Sequence, residues 1–337
     1  MSELPKPPWP EGCIPSAETL HITNGDSVIH LWRKMSLPGT LLAWKDILHE
    51  GPVIATMPLR QLSVLRASYL SQAGFGNAIK INHDFEKRDS TMERCGEFRE
   101  IVLWFEHDLY DQLHILQVLN YLAGVGLGPG RVQVVFSDRY LGMQTAEDLV
   151  AMLPRRQPVT GSMYALACES WSAFASDDPS RWLQLGVASN DLPHLRAAMR
   201  RLAQDFPSLS NGLSRTEQQM LSTVARGSTR KEEIFAACQS QEETAFLGDT
   251  TFYAKLDVLC DPAAPLIAQV GDEFSITPLG VKVLRSDSDW LQSHILERWI
   301  GGVHLTPGAL WRWNEAAATL DRLEVYDAKG KQQQKGN

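Results

Sequence analysis

Over the first 160 residues the hydrophobic positions follow two alternating rhythms: short apolar runs, then longer segments whose apolar residues recur every three or four positions. "TLHITNG" (19–25) is a β-rich run ending in Asn-Gly, and "SVIHLWRKM" (27–35) sets Val28, Leu31, Trp32 and Met35 at helical spacing. "GTLLAWKD" (39–46), "REIVLWFEHD" (99–108) and "RVQVVFSD" (131–138) predict three further strands. "PLRQLSVLRASYLSQAG" (58–74), "LYDQLHILQVLNYLAGVG" (109–126) and "TAEDLVAML" (145–153) predict helices. Strands alternating with helices imply right-handed crossovers, so residues 19–160 are expected to form an α/β, Rossmann-like domain with a mainly parallel sheet and flanking helices. Runs as apolar as "IVLWF" and "VQVVF" suit strands covered on both faces.

Beyond residue 160 the alternation stops. "GSMYALACESWSAF" (161–174) and "LPHLRAAMRRLAQDF" (192–206) predict a helical connector over 161–212, closed by the polar break "PSLSNG" (207–212). Ser214 with Glu217, and Thr229 with Glu232, have capping-box spacing ahead of two helical segments. A third helix is expected in "TTFYAKLDVLC" after Asp249, and a hairpin in "LIAQVGDEFSIT" (266–277). Three helices and a hairpin read as a winged-helix-like module in a C-terminal domain over 213–323, with an ordinary helical subdomain as the alternative. "ERWIGGVHLTPGALWRW" (297–313), with Gly301, Gly302 and His304 among aromatics, reads as a docking segment. Residues 1–18 and 324–337 are expected to be disordered.

Composition narrows this picture. The 337 residues, 44% hydrophobic and 21% charged, describe a soluble globular chain of two domains. No apolar run approaches the roughly 18 residues of a membrane span, and "MSELPKPPWPEG" does not resemble a signal peptide, so a cytoplasmic location is expected. Cys13, Cys95, Cys168, Cys238 and Cys260 are scattered and form no CxxC pair, which points away from a disulfide framework or zinc knuckle. The net charge of −8 disfavours bulk attraction to nucleic acid or anionic membranes. Over 213–285 seven basic side chains face ten acidic ones, and the would-be recognition helix carries only Lys255. Strong nucleic-acid binding is therefore not expected, and a protein partner or homo-oligomer is the alternative role for that module.

Candidate chemistry gathers at the strand ends. In an open parallel sheet the loops after the carboxyl ends of the strands line the ligand crevice. Those loops carry Asn24, Gly25, Asp26 and Ser27; Asp46, His49 and Glu50; Glu106, His107, Asp108 and Asp111; and Asp138 with Arg139. So many carboxylates cannot all ionise together without a metal, a cationic ligand, shared protons or basic partners such as Lys45 and Arg139. Asn24, Gly25 and Ser27, before a helix, are candidates for holding a nucleotide-like cofactor or ligand, although one glycine is a weak phosphate signal. Asp26 or Ser27 can equally cap that helix, and Asp108 the helix after 109. Glu106 and Asp108 should share one side of the strand, with His107 on the other.

The ordered set "LHITNGDS", "WKDILHEGPV", "LWFEHDLYDQL" and "RWIGGVHL" resembles the signatures of a bacterial family known as domain of unknown function 1835. The resemblance implies a bacterial origin and carries no catalytic residues across. Two classes of function fit the residues. One is a metal-assisted hydrolase or phosphoryl-handling enzyme, with Asp26, Asp46 and Asp108 on magnesium or manganese (zinc or iron as alternatives) and Glu106, His107, His49 and Glu50 as acid–base groups. The other is a non-catalytic nucleotide or metabolite sensor whose second domain signals to a protein or DNA partner.

Overall fold

The computed structural model describes residues 16–187, 189–307 and 310–323. The expected disorder of 324–337 and of all but the last three residues of 1–18 lies outside them. The chain divides into two compact units. One holds the described residues up to Ser176 together with Leu185–Ala198, and the other holds Asp177–Gln184 and the described residues from Met199 onward. Residues 161–212 are thus shared between the units.

The first unit is α/β. In chain order it contains β1 (Thr19–Asn24), α1 (Asp26–Lys34), β2 (Thr40–Trp44), the two-residue β3 (Gly51–Pro52), α2 (Leu59–Gln72) and α3 (Ala78–Glu93). Then follow β4 (Glu100–Glu106), α4 (Leu109–Val125), β5 (Val132–Ser137), α5 (Ala146–Met152), β6 (Gln157–Pro158) and α6 (Gly161–Phe174). The five-stranded sheet has the order β2-β1-β4-β5-β6. The first four strands are parallel, and β6 runs antiparallel to β5 through Gln133↔Pro158 and Val134↔Gln157 only. The pleat sends Val102 and Trp104 of β4 into a core with Val28, Ile29 and Trp32 of α1 and Leu149 and Val150 of α5. The alternate residues Ile101, Leu103 and Phe105 are equally buried, which explains the uninterrupted apolar run, and α4 packs against β4 and α6.

Trp44 and Trp104 are core residues: the Trp44 indole N–H donates to Gln117 and that of Trp104 to His21. α1 begins at Asp26 itself. Its N-cap is Gly25, at φ 53° and ψ −177°, a backbone conformation open to glycine, and no side chain caps it. Capping of α1 by Asp26 or Ser27 is thereby corrected.

The second unit contains α8 (Arg215–Ala225), α9 (Lys231–Gln239), α10 (Asp249–Leu259) and the antiparallel pair β7 (Ile267–Val270) and β8 (Glu273–Ile276). After α11 (Pro278–Leu284) come two more antiparallel pairs, β9 (Arg298–Gly301) with β10 (Val303–Leu305) and β11 (Leu310–Asn314) with β12 (Thr319–Leu323). The chain enters this unit within α7 (Leu195–Ala203). Ser214 and Glu217 form the expected capping box. Thr229 and Glu232 do not: α9 starts after Arg230 without a side-chain cap, and the Thr229 carbonyl accepts instead from the Phe274 N–H. No helix among the described residues is long and apolar enough to cross a membrane.

Candidate functional site

Parallel pairing puts the ends of β2, β1, β4 and β5 (Trp44, Asn24, Glu106 and Ser137) on one edge of the sheet. Along the sheet, the chain runs outward in one direction from β1 to β2 and in the other from β4 to β5. The order reverses between β1 and β4, and a sheet of this kind opens its ligand crevice at that switch point. The residues flanking it are Asn24 at the end of β1 and Glu106 at the end of β4.

These two residues meet around the first turn of α4. Asp108 caps the helix, accepting from the Asp111 N–H at 2.9 Å. Asp111 turns back and accepts from the Glu106 N–H at 2.5 Å and from the Asn24 side-chain amide. The Gln112 amide donates to the Glu106 carbonyl at 2.7 Å. A Glu106 carboxyl oxygen accepts from the Leu141 N–H at 2.7 Å, at the short helical turn after β5. Gly142 lets that turn sit close to α1, since a Cβ there would stand 3.2 Å from the Cβ of Ser27.

Glu106, Asp108 and Asp111 are 3%, 5% and 0% exposed. Burial, reinforced by Asp108, pushes the Glu106 carboxyl up to about 7, although the Leu141 and Gly142 N–H groups and Asn24 pull the other way. Burial raises Asp108 to about 6. Asp111 is raised well above the usual range by burial, then by Asp108 and Glu106. Three carboxyls this close cannot all carry charge, so near neutrality the group shares protons and titrates as a unit.

As the pleat requires, His107 turns away from this group. Its ring lies 5.0 Å from Tyr140 and 6.1 Å from His194, and His194 Nε2 stands 3.4 Å from Asp138. Burial holds both histidines below their ordinary value.

The loop after β2 has a separate centre. The Asp46 carboxylate is fully buried against Arg66 of α2, which donates to it from Nε and Nη2. The same guanidinium donates to the carbonyls of Glu50 at 2.6 Å, Pro52 at 3.3 Å and Ile47 at 2.7 Å, so one side chain clamps the whole turn. His49 and Glu50 are buried within that turn, the His49 ring 6.2 Å from Tyr110. Nε2 of His114 donates to the Asp46 carbonyl at 2.8 Å, and burial lowers this imidazole to about 4. Nearby, Arg88 of α3 pairs with Asp89, donates to Ser63 and lies over the Trp44 ring at 4.5 Å.

The sequence-derived residues thus separate into distinct groups. Asn24, Glu106, Asp108 and Asp111 come together. Asp46, His49 and Glu50 belong to the Arg66 turn. Asp26, exposed in the first turn of α1, pairs with Lys45 at 2.5 Å, and Ser27 is exposed beside it. Asp26, Asp46 and Asp108 share no common centre, and among the described residues no group of three or more His, Cys, Asp or Glu is placed to hold a metal ion. The cations expected beside the acids included Lys45; Arg66 and Arg88 were missed. For Arg66 the signal was present: it stands four residues from both Leu62 and Leu70, on the apolar stripe of α2, whereas α3 carries no such stripe to mark Arg88. The chain matches no model of a known protein family and no curated protein.

Proposed function

We propose that the first unit is an enzyme acting on a small polar or nucleotide-like molecule at the switch point between β1 and β4, with Glu106 as the proton-transferring group. The observation that carries this reading is the buried carboxyl cluster at that point. A carboxyl near 7 gives and takes protons at neutral pH, and strongly shifted carboxyls concentrate at catalytic sites. The Leu141 N–H and the Asp111 contacts hold Glu106 and Asn24 in place, and Asn24 remains half-buried. Asp108 acts on Glu106 through its charge. The metal-assisted form draws no support from Asp26, Asp46 and Asp108, whose oxygens are committed to Lys45, to Arg66 and to the cap of α4, so no step is routed through magnesium, manganese, zinc or iron.

Turnover profiling against a metabolite mixture, read by mass spectrometry, tests the proposal. A compound converted by the wild type should be converted about 100-fold more slowly by Glu106→Gln, with a rate profile bending near pH 7. Undiminished turnover by Glu106→Gln would refute the role of Glu106.

A second reading concerns the other unit. Its α8, α9 and α10 with the β7–β8 hairpin support a winged-helix-like module that makes protein contacts. Lys255, the only basic side chain of α10, is 7% exposed and lies near Glu217, leaving that helix without a cation for phosphate.

A further inference from the structure

A cavity lies on the same edge of the first unit, beyond β5. Because β6 pairs with β5 only at Gln133 and Val134, the last residues of β5 have no strand on their outer side. A cavity of about 350 Å³ opens there, lined by Val135, Phe136 and Ser137, by Asp138 and Arg139, and by α5 and its flanks through Gln144, Asp148, Met152 and Arg155. That volume is at the lower end of the range for small-molecule sites.

Its charged groups are unequally engaged. Asp148 accepts from the backbone N–H and hydroxyl of Thr145 in the capping box of α5, and Asp138 faces His194 at 3.4 Å. Ser137 exchanges hydrogen bonds with the backbone of Arg139. Among the described residues neither the Arg139 nor the Arg155 guanidinium makes a hydrogen bond or ion pair, although Arg139 is close enough to help lower the Asp148 carboxyl. A guanidinium offers five N–H donors in a planar fork suited to carboxylate and phosphate. Two such forks with open donors border a cavity whose apolar lining is Phe136, Ala151 and Met152, with Val135 buried in the core behind them.

We propose that this cavity binds a small oxyanion, a phosphate monoester or a carboxylate, with the anionic group between Arg139 and Arg155 and a compact apolar body against Phe136 and Met152. The site does not depend on the role of Glu106. Asp148 is held by Thr145, and Asp138 turns a 90% exposed side chain to solvent beside His194, which leaves the two guanidinium forks as the open donors of the cavity. The apolar wall sets the preference for a body over a bare ion.

Isothermal titration of the full chain with phenyl phosphate, benzoate and inorganic phosphate tests this. Phenyl phosphate or benzoate should bind saturably, with inorganic phosphate at least tenfold weaker than phenyl phosphate. The stronger of the two aromatic probes identifies the anion as phosphate or carboxylate. Arg139→Gln/Arg155→Gln, at exposed positions, should weaken binding at least tenfold. Ala151→Phe, which fills the cavity from an exposed position on its lining and leaves both charges, should do the same, and Glu106→Gln should leave it unchanged. No saturable binding of either aromatic probe, or equal binding by the double variant or by Ala151→Phe, would overturn the proposal.

Discussion

Replacing Arg66 by methionine would strand a carboxylate that has no contact with water. The Asp46 side chain is 0% exposed and takes its charge-assisted hydrogen bonds from Arg66. Breaking a buried pair by removing one partner costs about 3–5 kcal/mol. The carbonyls of Ile47, Glu50 and Pro52 lose a donor in the same step, so the upper part of that range is expected. At about 2–4 °C per kcal/mol for a unit of this size, the thermal transition of the first unit should fall by about 8–20 °C. Differential scanning calorimetry on the full chain resolves this if the two units melt separately, and the transition that Arg66→Met shifts is that of the first unit. Adding Asp46→Leu to Arg66→Met should recover most of the loss, since an apolar pair of similar volume carries no stranded charge. A loss below about 1 kcal/mol, or one that Asp46→Leu deepens, would refute the assignment of Arg66 as the clamp of this turn.

Three further outcomes are expected. Glu106 has a folded pKa near 7 against an ordinary 4.5, so its contribution to stability is complete below about 4.5 and is lost as pH rises through 7. Glu106→Gln should therefore match the wild type near pH 4 in urea denaturation and exceed it at pH 8 by up to about 3 kcal/mol; equal stability at both pH values would count against the buried carboxyl. Magnesium or manganese should shift the melting of wild type and Asp108→Asn equally, because Asp108 serves as a helix cap and asparagine caps as well; a shift lost only in the variant would make Asp108 a ligand. The full chain should bind random duplex DNA no tighter than micromolar at physiological salt in a fluorescence anisotropy titration, and submicromolar binding would contradict the protein-contact reading of the second unit.

Much of the first unit was legible because its strands are nearly pure apolar runs. A short run such as "IVLWF", rich in β-branched and aromatic side chains, suits a strand covered on both faces, which favours parallel pairing and a common edge for the loops. α3 escaped the same reading because its buried face is Phe85, Arg88, Asp89 and Met92, two of them charged, so no apolar stripe marks it. The two-residue β6 is too short to carry a period. At the site, the alternation of side chains along a strand correctly separated Glu106 and Asp108 from His107. The broader convergence of acids failed because contacts distant in sequence divide them: a guanidinium holds Asp46 in a separate turn, and an amide holds Asp111 beside Glu106. Arg66 reaches Asp46 across 20 residues, and Asn24 reaches Asp111 across 87. Periodicity reports the face on which a residue lies and carries no information about the charge that meets it there.

The central claim is that Glu106 holds a proton near neutrality at the β1/β4 switch point, and carbon-13 carboxyl NMR of the glutamates reads this directly. In the wild type the Glu106 resonance should titrate with a midpoint near 7. In Asp108→Asn that midpoint should fall, while staying above the ordinary glutamate value, because the like charge is gone and the burial remains. A wild-type midpoint between about 4 and 5, or one that Asp108→Asn leaves unmoved, would contradict the account.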